Sequence, residues 1–148
     1  MKTLIFILIL LAFLQTSIIP INLVLIVLVL RVYVTQEKQN LYLAFALGLL
    51  ISFLTNTPLG FYSISFLVII ELVSLIRKTP FLGHLITVVP LTLTALILQS
   101  VLELIFLKQS LIIWLPIIGA VLALPTYFLI RFWEERFVAK NTQIKLKV

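Results

Sequence analysis

Long apolar runs alternate with short polar segments along this chain, and the pattern predicts helices that cross a membrane. A helix needs about 20 mostly apolar residues to span the hydrocarbon core of a bilayer. The apolar runs occupy residues 4–14, 23–30, 41–54, 59–76, 81–107 and 111–130. The pattern therefore predicts an all-α polytopic membrane protein, a compact bundle of six transmembrane helices joined by short loops.

The first two runs are short and leave more than one interpretation open. A helix break at Pro20 predicts two crossings. Because residues 4–34 are too few for two full spans, we expect the first helix to be short or re-entrant. One long tilted helix is the alternative. Residues 4–14 after Lys2 have the length of a signal-peptide core, but no small-residue cleavage site stands clearly after them. We therefore expect an uncleaved first span.

Prolines inside the last two runs predict irregular helices. Pro90 lies within 81–107, where it would remove one helical hydrogen bond, so we expect that long helix to be bent or tilted. The last run predicts a second irregular helix that can pack closely against its neighbours, marked by Pro116, Gly119, Ala123 and Pro125.

Between the third and fourth runs, one helix must end and another begin with almost no connecting chain. Ala44, Gly48 and Ser52 recur at every fourth position, so a helix there carries a stripe of small side chains for close packing in lipid. Pro58 is predicted to open the next helix, with Asn56 and Thr57 as its caps. The simpler alternative is that these residues only allow two helices to fold back.

The predicted helix-packing or partner-contact residues are these small or turn-forming positions together with those of the last run. They are Ala44, Gly48, Ser52, Pro58, Gly60, Gly119 and Ala123.

Composition supports a membrane protein and excludes several classes of function. The chain is 63% apolar with a mean hydropathy of +1.29, well above a soluble domain. It has no Cys and one His, His84, so it lacks the residues for a disulfide framework or a thiolate metal site. There is no glycine-rich phosphate loop and no nucleophile–base pattern. We expect a non-enzyme without cofactor or metal.

Basic residues predict the orientation. If the amino terminus is cytoplasmic, ten of the eleven Lys and Arg residues fall in cytoplasmic segments, and only Lys108 falls outside. The positive-inside rule thus favours a multi-pass membrane protein of six spans with both termini cytoplasmic. The net charge of +6 flanks apolar runs instead of forming a basic stripe, so we expect no nucleic-acid binding.

The chain divides into a transmembrane helical domain, residues 1–133, and a basic cytoplasmic tail, residues 134–148. Aromatic and basic side chains alternate around the boundary. This composition suits either an interfacial helix on anionic membrane lipids or a stop-transfer anchor.

Three polar side chains are predicted at membrane depth: Glu71, Gln99 and Glu103. A carboxylate there is costly and is a functional candidate by default. Glu71 precedes Lys78 by seven residues on roughly the same face, so the two can approach each other. Glu103 lies one turn from Gln99 and can form an interhelical hydrogen bond or meet Lys108. A structural role is favoured for both carboxylates.

Three motifs follow one another in the first half of the chain. They are Pro20-Ile21-Asn22 opening a Leu/Val-rich helix, Gly48-Leu49-Leu50-Ile51-Ser52 after a short basic loop, and Thr57-Pro58-Leu59-Gly60. Their order, with the chain length and the six-span pattern, resembles the rod shape-determining protein MreD family. The specific part covers residues 20–65. In that family the position four after the glycine is typically Asp, whereas here it is Ser52, which can still hydrogen-bond across a helix pair.

The resemblance implies a non-enzymatic scaffold in the bacterial cytoplasmic (inner) membrane. It would belong to the cell-elongation complex, which supports peptidoglycan synthesis and cell shape. Its expected partners are MreC, the actin-like MreB, the RodA glycosyltransferase and a class B penicillin-binding protein. The alternative is the substrate-binding S component of an energy-coupling-factor vitamin transporter, which resembles MreD in fold and size. S components usually carry an Ala-x-x-x-Ala docking pattern in the first helix, whereas Ala12 stands alone here. The outer turns are also too short for a lid, and an unrelated small transporter or pore is the third possibility.

Overall fold

The computed structural model describes residues 2–80 and 84–138, and within them it contains six α-helices and no strand. The helices are α1 (Lys2–Ser17), α2 (Leu23–Val34), α3 (Gln39–Leu54), α4 (Phe61–Arg77), α5 (Val88–Leu107) and α6 (Trp114–Trp133). A 3₁₀ turn, Leu85–Thr87, precedes α5, and a π-helical turn, Glu134–Val138, continues α6. The prediction of an all-helical fold is confirmed.

Helix α2 lies at the centre of the bundle and packs against every other helix. Nine of its 12 residues are buried, which is the pattern of a helix surrounded by others. The Asn22 side chain caps its start by accepting a hydrogen bond from the Leu25 N–H. At its other end, the Arg77 guanidinium donates to the carbonyls of Val32 and Val34 at 2.9 and 3.1 Å. A cation there satisfies carbonyls that the helix leaves open.

The break at Pro20 is confirmed, since residues 18–22 are not helical and separate α1 from α2. The expected short first helix is also found, since α1 has 16 residues, fewer than the roughly 20 of a full span, and α2 is shorter still with 12. The apolar run ends at residue 14 but the helix continues through residues 15–17, so the run underestimates the length of α1. Thr16 stays in the helix by donating its hydroxyl to the Ala12 carbonyl, and Gln15 Oε1 accepts from the Val24 N–H at 2.9 Å.

Within the described residues, two helical segments are long and apolar enough to cross a membrane. They are Leu85–Leu107 and Trp114–Arg136, with 23 residues each. The helices α1, α2 and α3 are apolar but have 16, 12 and 16 residues. At about 1.5 Å per residue they are shorter than the roughly 30 Å hydrocarbon core. Length and composition thus identify two candidate spans.

Neither Pro90 nor Pro116 interrupts an α-helix. Each is the third residue of its helix, α5 or α6, in the first turn, where N–H groups have no intrahelical acceptor. The bend was expected because the fifth span was predicted to start at 81, outside the described residues, whereas α5 starts at Val88. Pro125 does lie inside α6, where it leaves the Val121 carbonyl without its usual donor.

The two ends of the bundle differ in chemistry. The end that we call the cavity end carries the turns 18–22, 55–60 and 108–113. The end that we call the arginine end carries residues 35–38, 84–87 and 134–138. The predicted domain boundary at 133 falls between α6 and its π-helical continuation, and residues 139–148 of the predicted tail lie outside the described residues.

Candidate functional site

The predicted stripe of small residues on α3 lies against α4. Ala44 and Ser52 are fully buried. A Cβ placed on Gly48 would overlap the Ser63 Cα and would lie 2.5 Å from the Ser63 nitrogen. Because this obstacle is backbone, no side chain at Gly48 can be accommodated without moving α4. The stripe therefore packs within the chain.

Two hydrogen bonds cross between these helices. Ser63 Oγ donates to the Phe45 carbonyl at 3.0 Å, and the Tyr62 N–H donates to Ser52 Oγ at 3.4 Å. The Tyr62 N–H lies in the first turn of α4, where it has no acceptor in its own helix. Ser52 thus supplies an acceptor to the start of the next helix.

The turn after α3 differs from the prediction for Pro58. Helix α4 begins at Phe61, so Pro58 lies exposed in the turn and does not open the helix. Its carbonyl accepts a hydrogen bond from the Phe61 N–H at 3.1 Å. Gly60 stands before the helix with φ 95° and ψ −14°, as the third residue of a type II turn requires. This turn needs a left-handed residue at position 60, and glycine adopts that conformation without strain.

Asn56 and Thr57 cap the end of α3 and not the start of α4. Asn56 has a φ of 52°, its N–H donates to the Phe53 carbonyl, and the Thr57 N–H donates to the Ser52 carbonyl at 3.1 Å. This is the Schellman arrangement, in which a left-handed residue ends a helix. The prediction assigned these caps to the wrong helix because Asn is favoured both before a helix and in the left-handed position after one.

Gly119 and Ala123 join α6 to α2 and α5. A Cβ on Gly119 would lie 2.6 Å from Leu96 Cδ1 and 3.3 Å from Ile26 Cδ1, and Ala123 is fully buried. Like the stripe on α3, these two positions contact helices of the same chain. The predicted small-residue faces are therefore occupied by internal packing.

A cavity of about 270 Å³ opens at the cavity end. Residues of α1, α3, α4, α5 and α6 and of the turn before α2 surround it. A neighbouring depression of about 310 Å³ shares Ser100, Glu103 and Gln109 with it. The polar groups that matter most for its chemistry are Thr16, Thr55, Tyr62, Gln99, Ser100 and Glu103.

Gln99 and Glu103 lie together in this cavity, as their spacing predicted. Gln99 is only 2% exposed, and its Nε2 donates to Glu103 Oε1 at 3.0 Å. Tyr62 of α4 lines the same cavity and interacts with this carboxylate, which is consistent with the interhelical contact predicted as one alternative. The other alternative is wrong, since within the described residues Glu103 forms no ion pair with Lys108.

Gln99 Oε1 is buried and has no hydrogen-bond partner in the described part of the chain. A buried acceptor without a donor costs about 1–3 kcal/mol. Glu103, in contrast, is only half-buried and lines the cavity, so water or a ligand can donate to its carboxylate. The cavity is therefore the candidate binding site.

Glu71 lies elsewhere. It is exposed on α4 and lines a depression of about 430 Å³ at the arginine end, together with Glu37, Lys38 and Lys78. Glu71 and Lys78 were predicted to approach each other. They line the same depression, but no ion pair joins them within the described residues.

Arg31 is a buried charge that sequence reasoning missed. Its side chain is 3% exposed and lies 3.8 Å from both Glu37 Oε2 and Glu134 Oε1. The distribution of basic residues places it in a cytoplasmic loop, whereas it lies in the last turn of α2. A sign of this cluster in the sequence was the placement of acidic residues. Two of the five in the chain, Glu37 and Glu134, stand shortly after the ends of α2 and α6. The cluster ties the α2–α3 loop and the end of α6 to the central helix.

No group of three His, Asp or Glu residues able to hold a metal occurs within residues 2–80 and 84–138. Comparison with protein-family models, with curated proteins and with solved structures finds no match. A function for this chain therefore has to be inferred from its own geometry and from the resemblance of its motifs.

Proposed function

We propose that the protein is a non-enzymatic scaffold of the bacterial cell-elongation complex, as its resemblance to the MreD family implies. The observation that supports this most is the α3–α4 hairpin. The motif residues that carry the resemblance form one mechanical unit: Gly48 allows close approach, Ser52 bonds across it, and Gly60 forms the turn. Residues that depend on one another in this way make a more specific likeness than composition does.

Six membrane spans are part of the proposal. Large apolar side chains project outward from helices on several sides of the bundle, among them Phe6, Ile64 and Phe106, at 68%, 66% and 67% exposure. Soluble monomers rarely expose contiguous apolar surface of this extent, whereas lipid covers it. Shorter helices can be accommodated by local thinning of the bilayer. The central α2 meets little lipid, because other helices surround it.

MreC is the proposed direct partner, with MreB, RodA and a class B penicillin-binding protein in the same complex. The contact with MreC uses the exposed apolar surface, because the small-residue faces of α3 and α6 are filled by helices of the same chain. Packing and interhelical hydrogen bonds drive association of membrane helices, so such a surface suits a scaffold.

Depletion in the native host, combined with affinity purification, tests the proposal. Loss of the protein is expected to round rod-shaped cells, and tagged protein is expected to co-purify with MreC. Normal cell shape on depletion together with no recovery of MreC would contradict the proposal.

The S-component alternative is tested on purified protein. The cavity lies where that alternative requires one, yet its 270 Å³ is below the usual size for drug-sized ligands, about 300–1,000 Å³. A vitamin at a hundredfold excess over its Kd would stabilise the protein by about 2.7 kcal/mol. A large thermal shift with one vitamin, together with normal cell shape on depletion, would favour the transporter component over the scaffold.

A further inference from the structure

Three hydroxyls around the cavity at the cavity end offer acceptors to it, and the side-chain amides of Gln15, Asn22 and Gln109 also line it. The hydroxyls of Thr16, Thr55 and Ser100 each donate to the carbonyl four residues earlier in their own helix, at 3.0, 2.7 and 3.0 Å. Their hydrogens are therefore used within the helices. What a hydroxyl in this state offers to the cavity is a pair of acceptor lone pairs.

A stronger acceptor is the Glu103 carboxylate, which is half-buried and accepts a hydrogen bond from the Gln99 amide. An ionised carboxylate has about four lone-pair positions, so it can accept further hydrogen bonds.

The charge of the cavity points the same way. Among the described residues that line the cavity, Glu103 is the one charged residue, so the lining contains no Lys or Arg. A half-buried carboxylate that forms no ion pair within the described residues is best satisfied by a ligand that brings both positive charge and N–H donors. Neutral donors such as water supply only the second of these.

We propose that this cavity binds a small molecule carrying a protonated amine, held by the Glu103 carboxylate. The volume of about 270 Å³ corresponds to roughly nine water molecules, at about 30 Å³ each, so the bound group is small. The amine comes either from a free solute or from the ethanolamine headgroup of a lipid, since the cavity opens at the end of the bundle. This site is independent of the proposed scaffold function.

Calorimetric titration of the purified full-length protein in detergent tests the ligand class. The probes are methylamine and ethanolamine hydrochlorides, compared with tetramethylammonium chloride, a cation without N–H donors, and with ethylene glycol, a donor without charge. We expect saturable binding of the two amines, and binding of the other two probes at least tenfold weaker. Equal binding of tetramethylammonium, or no saturable binding of either amine, would overturn the proposal and leave a water-filled cavity.

Variants locate the site. Glu103→Gln keeps the side-chain size and removes the charge, and it is expected to weaken amine binding about tenfold or more, equivalent to about 1.4 kcal/mol. Glu71→Gln, the same change on an exposed carboxylate outside the cavity, is the matched control and is expected to bind as the unaltered protein does. Ser100→Met fills the cavity with Glu103 intact and should abolish binding, which keeps the test decisive if Glu103→Gln does not fold. Unchanged affinity in both cavity variants would refute the site.

The lipid source is separated from the solute by reconstitution. In nanodiscs containing phosphatidylethanolamine, a headgroup in the site would compete with free ethanolamine and weaken its binding at least tenfold relative to phosphatidylcholine nanodiscs. Equal binding in the two kinds of nanodisc identifies a free amine as the ligand. Both results support an amine site, and neither depends on whether MreC co-purifies.

Discussion

The two ends of the helix bundle treat buried polar groups in opposite ways. At the arginine end, the buried Arg31 lies near Glu37 and Glu134, and Arg77 donates to two carbonyls of α2. At the cavity end, Gln99 Oε1 is buried without a donor in the described part of the chain, and the half-buried Glu103 lines an open cavity. Burial of a polar group therefore does not by itself identify a binding site. What distinguishes the cavity end is unused hydrogen-bonding capacity facing a space that a ligand can enter.

The arginine end shows the structural use of charge. Removing one partner from a buried ion pair leaves the other charge without compensation, which costs several kcal/mol. The contacts there join the central helix to a loop and to the end of α6. These charges therefore fix the arrangement of helices, and the cavity end is free to carry a ligand.

The largest expected effect concerns which end faces the cytoplasm, because a topology reporter is either active or inactive. We expect fusions at Val148 and in the turn at Gln109 to report opposite sides of the membrane, with Val148 cytoplasmic, since basic residues are retained inside. Paired cytoplasmic and periplasmic reporters measure this. An external Val148 would contradict the six-span proposal and reverse the orientation of the two ends.

Gly48→Leu is expected to have the largest effect on stability. Any side chain at this position meets the backbone of α4, so the hairpin must open and the wall of the cavity formed by Ile51, Thr55 and Tyr62 must move. We expect a loss of about 3 kcal/mol or more in the free energy of unfolding in detergent. Phe53→Leu is the control, because Phe53 lies on the same helix and is 73% exposed. Equal stability of the two variants would show that α3 and α4 are not in close contact.

Arg31→Met tests the structural role of the arginine end. It removes the charge near Glu37 and Glu134 while keeping apolar bulk, and we expect a loss of about 3 kcal/mol because Glu134 is left half-buried and unpaired. Adding Glu134→Gln should restore part of that stability. A double-mutant cycle in detergent measures the coupling. Independent, additive effects would mean that the Arg31–Glu134 contact contributes no stability.

Gln99→Met is expected to have the smallest effect on stability, although Gln99 is as buried as Arg31. The change removes the hydrogen bond to Glu103 and also the buried acceptor without a donor, so the two contributions nearly cancel, to within about 1 kcal/mol. Thermal unfolding of Gln99→Met beside Arg31→Met measures the difference. A loss as large as that of Arg31→Met would mean that Gln99 serves structure and would remove the contrast between the two ends.

The amino-acid sequence by itself determined the helices and most of their limits. Runs of apolar residues long enough for a helix, broken by Pro20 and by the polar segments, placed each helix close to its observed position. The spacing of Ala44, Gly48 and Ser52 and that of Gln99 and Glu103 correctly identified residues that share a helix face. These properties are local, because a helix places residues four positions apart on one side whatever surrounds it.

Only the tertiary structure decided the features that depend on several segments meeting. Asn56 is suited to either of two helix ends, and the chain path through Pro58 and Gly60 determined that it ends α3. Arg31 became a buried group because α2 is central and the carboxylates of distant segments reach it. Gln99 Oε1 lacks a donor because the segments that converge around the cavity leave it none within the described residues. Residue spacing specifies which side chains share a face, whereas convergence of separate helices determines what that face meets.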